Sequence, residues 1–244
     1  MAAKNQWEIN CDLGEGVAHE AQLFPFIDAA SVACGGHYGD ENTVYQSLTL
    51  AKKFGVKAGI HPSYPDQVNF GRKSMQIPFS ELETSLLDQI GLFKKVATGL
   101  EIQPDHLKFH GALYNDAAKD RNLASKLAAL ISEHLPDMVI FVPPFSEMEK
   151  AAKNHGLKTR LEIFGDRTYK ENYQLLERNQ PKALLTDPRE VEIQLESILV
   201  QHQLISSIGT QLPIHAETIC FHGDNPGILE FLPQIRRKFW QNQS

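Results

Sequence analysis

The chain has 244 residues, of which 42% are hydrophobic and 22% are charged, and its formal net charge is −6. This balance excludes disordered, collagen-like and coiled-coil proteins. The net negative charge, without a dense cluster of Lys and Arg, argues against nucleic acid or an anionic membrane as a partner. The sequence begins without the apolar core of a signal peptide and contains no run of about 18 apolar residues, so we expect a cytoplasmic protein.

Segments of strand character alternate with segments of helical character along the chain. Buried or alternating apolar residues predict strands at 7–12, 29–34, 56–60, 107–110, 138–142, 159–163 and 217–221. Apolar residues at helical spacing and capping signals predict helices from near Asp40, Ser80, Ser146, Asp187 and Asn225, and another around 123–131. A weaker strand, 183–186, can be placed neither inside nor outside the sheet from its sequence.

This alternation determines the predicted architecture. Seven strands followed by helices favour a closed or nearly closed, TIM-barrel-like parallel barrel in a single domain, 1–244, with a polar tail at about 240–244. An open doubly wound sheet would show the same alternation, but it would spread polar strand ends along an edge. A barrel would bring them together, and we therefore predict the barrel.

Ionisable side chains follow six of the seven predicted strands, at the end where α/β proteins bind their ligands. They are Asp12, Glu15, His37, Asp40, His61, His110, Glu162, Asp166, Arg167, His222 and Asp224. Four of them are histidines in equivalent places after four different strands. We expect these histidines to meet at one rim, although any single one could be a core histidine bonded to backbone.

Two kinds of chemistry are open to this set. Histidine and carboxylate ligands can hold a divalent metal ion with a free position for water, and Asp12, His61 and His110 form the best triplet. The same groups can also perform general acid–base catalysis without a metal. The sequence favours neither of these two readings.

Three cations are placed to bind a substrate carboxylate or a phosphate: Arg72, Lys108 and Arg167. The alternative for each is an ion pair, and for Arg167 the adjacent Asp166 makes that alternative strong. The sequence contains no GxxxxGK[ST] phosphate loop, so any use of ATP requires an unusual site or a partner protein.

Three cysteines, Cys11, Cys34 and Cys220, lie far apart and without a CxxC motif, so we expect reduced thiols and no disulfide. Buried thiols are the preferred interpretation. A nucleophilic Cys34 near His37 remains an alternative.

Seven motifs, in order along almost the whole chain, carry a family resemblance. They are INCDLGEG (9–16), ACGGHYGD (33–40), GIHPSYPD (59–66), FGRK (70–73), LKFHGALYN (107–115), EIFGDRTY (162–169) and CFHGDNP (220–226). Together they resemble the LamB/YcsF family of 5-oxoprolinase A subunits. The resemblance implies a distorted seven-stranded β/α barrel, similar to the glycoside hydrolase/deacetylase group.

The resemblance also implies an activity and, carried over by motif, a set of site residues that includes Glu15 and Asp40, but it does not imply the role of each residue. The implied reaction is the ATP-dependent hydrolysis of the lactam 5-oxoproline to L-glutamate together with the B and C subunits, with ATP as a co-substrate handled with those partners. We expect Asp12, His37, His61, Lys108 and His110 to be catalytic. We expect Arg72, Asn115, Glu162, Asp166, Arg167, His222 and Asp224 to bind the substrate.

The chain departs from the usual family pattern at Tyr38, Asn69, Lys73 and Phe109, which predicts a changed pocket wall and leaves a related lactam open as the substrate. Two alternative functions remain. One is a stand-alone metal-dependent amide hydrolase or deacetylase, and the other is a non-catalytic protein of the same complex that binds a lactam.

Overall fold

The computed structural model describes residues 7–241, and most of its strands form one closed parallel barrel. The barrel strands are β1 (Glu8–Leu13), β2 (Ala29–Ala33), β3 (Lys57–His61), β4 (His106–Leu107), β5 (Val139–Val142), β6 (Lys158–Phe164) and β9 (Thr218–His222). They pair in the order β1-β2-β3-β4-β5-β6-β9, and β9 closes the ring by pairing in parallel with both β1 and β6. The predicted seven-stranded barrel is confirmed, and the open-sheet alternative is wrong.

Helices follow the strands and cover the outside of the barrel. They are α1 (Glu20–Leu23), α2 (Glu41–Phe54), α3 (Phe79–Gly99), α4 (Gly111–Lys119), α5 (Arg121–His134), α6 (Glu147–Asn154), α7 (Pro188–Gln201) and α8 (Ile228–Arg236), with a 3-10 turn at Phe24–Phe26 and a π-helical turn at Arg237–Gln241. None of the helices within residues 7–241 has both the length and the apolar character needed to cross a membrane.

The helix starts show where capping signals succeed and where they fail. Asp187 and Ser146 cap α7 and α6 through bonds to backbone amides, as predicted. The helix predicted from near Ser80 is present, but Ser80 is not its N-cap. Pro78 precedes the first helical residue, so α3 begins at Phe79, and Ser80 already lies inside its first turn.

Two further segments differ from expectation. The weak strand 183–186 stays outside the barrel and forms only an isolated bridge, between Leu184 and Arg167. An antiparallel hairpin of β7 (Gln203–Ile205) and β8 (Gln211–Pro213) precedes β9 and was not predicted, because each strand has only three residues. The polar tail lies largely outside the described residues.

The interior of the barrel contains buried polar side chains. Alternate strand residues face inward, and the middle of the barrel holds His106, which contacts Ser31 Oγ through Nε2 at 2.9 Å and stacks on Phe141 at 3.9 Å. Burial lowers the pKa of His106, so the imidazole is neutral at neutral pH. Gly59 makes room for it, because a Cβ at that position would overlap His106 Nε2.

We expect Gly59→Ala to destabilise the protein by about 1–3 kcal/mol, because the added methyl group overpacks the barrel against a ring that Ser31, Asp105 and Phe141 hold in place. The free energy of unfolding from urea denaturation measures this. Gly91→Ala is the matched control: no atom lies within 4 Å of its Cβ position on α3, so a gain of about 0.5–1 kcal/mol is expected. Equal effects of the two substitutions would contradict this view of the interior.

Candidate active site

The stretch after β4 carries two of the main site residues. The regular strand ends at Leu107, but Lys108 N still donates to Ile60 O at 2.9 Å and His110 N to Pro62 O at 2.9 Å. The chain therefore stays extended beside β3. Lys108 and His110 face into the barrel on the same side, as the alternation of the sequence predicts.

Lys108 lies at the centre of a buried charge cluster below the rim. Its Nζ is 2.8 Å from Asp12 Oδ1, 2.8 Å from Glu162 Oε1 and 3.1 Å from Cys220 Sγ. Burial disfavours the ammonium ion, but Asp12 and the other surrounding groups offset this and raise the pKa of Lys108 well above its usual value. Lys108 is thus a fixed cation that neutralises the barrel interior.

The two carboxyl groups beside Lys108 differ in charge. Burial opposes ionisation of Asp12, but Lys108 and His61 hold its pKa well below the usual value. For Glu162, burial together with the negative charge of Asp12 raises the pKa despite the nearby Lys108. Asp12 therefore carries the negative charge, and Glu162 is the group that accepts a proton more readily.

A second cluster, formed by Glu15, His37, His61 and His110, lies at the rim. Glu15 Oε1 is 3.0 Å from His37 Nε2, 3.2 Å from His110 Nδ1 and 3.8 Å from His61 Nε2. His61 Nε2 and His110 Nδ1 are 3.0 Å apart, and the rings of His37 and His110 stack at 3.6 Å. All four side chains are buried, and the cluster could bind a metal ion.

This cluster differs from the predicted metal triplet. His61 and His110 belong to it, but Asp12 directs Oδ1 to Lys108 and only its Oδ2 approaches His61 Nε2, at 3.5 Å. Glu15 takes the place that we expected for Asp12.

The outer ring nitrogens of two cluster histidines are held by backbone. His61 Nδ1 donates to Lys108 O at 2.8 Å, and His110 Nε2 donates to Phe70 O at 3.0 Å. Phe70 has a left-handed backbone, with φ of 55°, and this strain aims its carbonyl at the ring. The next residue, Gly71, must be a glycine because a Cβ there would lie 2.9 Å from His37 Cβ.

A third group is the pair of Asp166 and His222. Asp166 Oδ1 accepts from His222 Nδ1 at 2.8 Å, and Oδ2 accepts from His222 N and from Asn225 Nδ2. Burial opposes ionisation of Asp166, but His222 and Asn225 lower its pKa. His222 Nε2 has no partner among residues 7–241, and the ring lies in the wall of the main cavity.

Arginines surround the mouth of the site. Asp224 accepts from Arg72 at 2.5 Å and from Arg178 at 3.0 Å. Arg178 was missed by the sequence analysis, because its segment has no periodic pattern. Arg167 donates to two backbone carbonyls, Ala183 O and Leu176 O, and so anchors the loop after β6. Within residues 7–241, backbone carbonyls hold the Arg167 guanidinium, and no carboxylate lies within ion-pair distance of it.

One cavity of about 880 Å³ opens at the carboxyl end of the barrel. Of the predicted site residues, its wall contains Asp12, Arg72, Lys108, His110, Asn115, Glu162, Arg167 and His222. Glu15, His37, His61, Asp166 and Asp224 are not among the residues that line it. Tyr114, which we did not predict, lines the cavity, and its buried hydroxyl lies beside the Glu162 carboxyl group.

Two other candidates have structural roles. Asp40 is exposed and caps α2, accepting from the amides of Asn42 and Thr43. The three cysteines are free and buried, as predicted. Burial raises the pKa of the Cys34 thiol to about 12, which argues against a nucleophilic thiolate at that position.

Comparison with known proteins agrees with this architecture. The profile described as the LamB/YcsF family matches residues 7–244. Proteins named as the A subunit of 5-oxoprolinase, from Staphylococcus haemolyticus and Erwinia tasmaniensis, are 35% and 37% identical, over 95% of this chain and 94% and 95% of theirs. The crystal structure of the lactam utilization protein from Thermus thermophilus superimposes with a TM-score of 0.85 at 29% identity, covering 96% of each chain.

Lys108→Met tests the buried charge cluster. Removing the ammonium group leaves Asp12 and Glu162 without their cation, and we expect a loss of about 3–5 kcal/mol at pH 7. Because both carboxyl pKa values then rise above those of the unfolded chain, the loss should shrink as the pH falls from 7 towards 5.

Urea denaturation at both pH values measures this effect. The exposed Lys94→Met on α3 is the control and should change the free energy of unfolding by no more than about 0.5 kcal/mol. A Lys108→Met loss that grows on acidification would show that the charge cluster is not as described.

Proposed function

This chain belongs to the LamB/YcsF family, and we propose that it is the A subunit of a 5-oxoprolinase that hydrolyses 5-oxo-L-proline to L-glutamate. The observation that carries the proposal is the similarity, over nearly the full length of both chains, to two proteins named as the A subunit of 5-oxoprolinase. A cavity lined by histidines, carboxyl groups and arginines at the carboxyl end of the barrel supports it.

The arginines at the mouth suit the carboxylate of this substrate. Arg72 and Arg178 share one acceptor, Asp224, and both line the cavity, so their remaining N–H groups are available to a ligand. Lys108 is less suited to binding the substrate carboxylate than its sequence position suggests, because its ammonium group is already paired with Asp12 and Glu162. We assign substrate carboxylate binding to Arg72 and Arg178.

Opening the ring requires proton transfer at the attacking water and at the leaving nitrogen. Asp166 holds His222 with Nδ1 protonated, which leaves Nε2 as a proton acceptor towards the cavity. His222 therefore takes a proton from water and returns it to the ring nitrogen, while Asp166 stabilises the imidazolium formed in between. The protonated form of Glu162 can donate to the carbonyl oxygen.

ATP and the partner chains belong to the same proposal. An unstrained five-membered lactam retains amide resonance and gains little on opening, so coupling to ATP supplies the driving force. This chain has no phosphate loop, and we assign ATP handling to the complex with the B and C subunits. Both relatives are named as one subunit of an enzyme, which supports a complex of several chains.

A second candidate is a stand-alone metal-dependent amide hydrolase, which the cluster of Glu15, His37, His61 and His110 favours. One assay separates the two. The purified chain is mixed with 5-oxoproline, ATP and Mg²⁺, with and without the B and C subunits, and glutamate and ADP are measured. Glutamate that forms only with the partners supports the 5-oxoprolinase proposal. Amide hydrolysis by the isolated chain with metal and without ATP supports the second candidate.

We expect His222→Gln to lower kcat for glutamate formation by about 10²–10⁴-fold, since a general acid–base group contributes this much. Asp166→Asn should give a smaller loss, because it removes the orientation of the ring but not the ring itself. The exposed His134→Ala on α5 is the control and should leave the rate unchanged. Wild-type rates for His222→Gln in the complete complex would exclude this role.

A further inference from the structure

The hydrogen bonds of two buried histidines determine which of their nitrogens carry protons. A backbone carbonyl can only accept a hydrogen bond, so His61 must carry its proton on Nδ1, facing Lys108 O, and His110 on Nε2, facing Phe70 O. In the neutral rings the other nitrogens, His61 Nε2 and His110 Nδ1, are therefore bare lone pairs. These two bare nitrogens face each other at 3.0 Å.

A carboxylate oxygen joins them at the same place. Glu15 Oε1 lies 3.2 Å from His110 Nδ1 and 3.8 Å from His61 Nε2. His37 Nε2, at 3.0 Å, can donate to the carboxylate oxygen, but within the described residues no donor reaches the two bare nitrogens. Asp12 Oδ2 adds a further acceptor 3.5 Å from His61 Nε2, so the lone pairs that meet in this buried site are electrostatically unfavourable. One proton placed between the two nitrogens would satisfy those two atoms, whereas a cation at the centre satisfies all three.

The spacing of the three atoms matches a metal site. Metal–ligand bonds of about 2.1 Å separate neighbouring ligand atoms by about 3.0 Å in octahedral and about 3.4 Å in tetrahedral geometry. The observed separations of 3.0, 3.2 and 3.8 Å lie around these values. Histidines that bind metals almost always donate their second N–H to a carbonyl or carboxylate, as His61 and His110 do here.

His37 has a different position in the cluster. Its Nε2 is 3.0 Å from Glu15 Oε1, and its Nδ1 is buried without a partner in the described part of the chain. Among residues 7–241, no carbonyl orients the His37 ring in the way that carbonyls orient the other two rings. His37 thus holds the carboxylate in place, or supplies a fourth nitrogen.

We propose that Glu15 Oε1, His61 Nε2 and His110 Nδ1 bind one divalent transition-metal ion of the zinc or cobalt class. Asp12 is not a ligand, because Lys108 holds its carboxylate at 2.8 Å and it lies outside the cluster in which all ligand atoms are close to one another. Two nitrogens and one oxygen suit these ions better than Mg²⁺ or Ca²⁺, which prefer oxygen alone. His110 lines the cavity, so the ion is reachable by a substrate there, where it supplies Lewis acidity. Its part in turnover rests on the proposed function, but its binding does not.

The test titrates the full chain, after removal of metal with a chelator, with Co²⁺ and separately with Zn²⁺. We expect one equivalent of Co²⁺ to bind, with the visible absorption of a nitrogen-coordinated ion, and Zn²⁺ to displace it. Glu15→Gln and His110→Gln should weaken binding by at least about tenfold. His222→Gln, which changes a histidine of the same rim outside the cluster, should bind as the wild type does.

A measurement on the wild-type protein tests the proposal even if the variants fail to fold. Nitrogen-15 NMR of the histidine rings in the metal-free chain should show the proton of His61 on Nδ1 and that of His110 on Nε2. Adding Zn²⁺ should shift the resonances of the bare nitrogens. Absence of stoichiometric binding to the wild type, or equal binding by His110→Gln, would overturn the proposal.

The outcomes for the metal and for the proposed function remain distinguishable. If the metal-free chain binds no ion but still forms glutamate with its partners, the metal site is wrong and the 5-oxoprolinase proposal stands. If one ion binds at the cluster but no glutamate forms in the complete mixture, the metal site stands and the 5-oxoprolinase proposal fails.

Discussion

The ion pair of Lys108 with Asp12, inside the barrel, is the interaction on which the active end of this molecule depends. Taking an ammonium ion and a carboxylate out of water is costly, and only their mutual contact at 2.8 Å together with further polar neighbours offsets that cost. The pair joins β1 to the extended chain after β4, across the barrel. By engaging Asp12, it also leaves the rim histidines to associate with Glu15 instead.

The barrel supports this arrangement with polar layers instead of a uniform apolar filling. His106 and Ser31 form one layer below the ion pair, and Arg160 contacts Glu8 and Asp105 nearer the amino end of the strands. Each layer is largely buried, and its polar atoms are satisfied mainly by one another. The apolar core lies instead between the strands and the surrounding helices, where the outward residues of each strand pack.

Much of the fold could be predicted from the sequence because the patterns that specify it are local. The alternation of strand residues, the carboxyl ends of strands and the caps at Asp187 and Ser146 are all read within a few positions of the chain. The failures are equally specific. The cap at Ser80 fails because Pro78 sets the helix start earlier, and the hairpin around 203–213 was missed because its strands are too short for a periodic pattern.

The sequence by itself determined the parallel barrel and which residues stand at its rim, because both follow from spacing along the chain. Only the tertiary structure decided which of those residues meet. Asp12 and Lys108 are distant in sequence, as are His61 and Glu15, and their pairing depends on strand register and loop closure. The tertiary structure also determines which ring nitrogen of His61 and of His110 carries the proton. The backbone carbonyls that accept hydrogen bonds from these nitrogens belong to other segments of the chain.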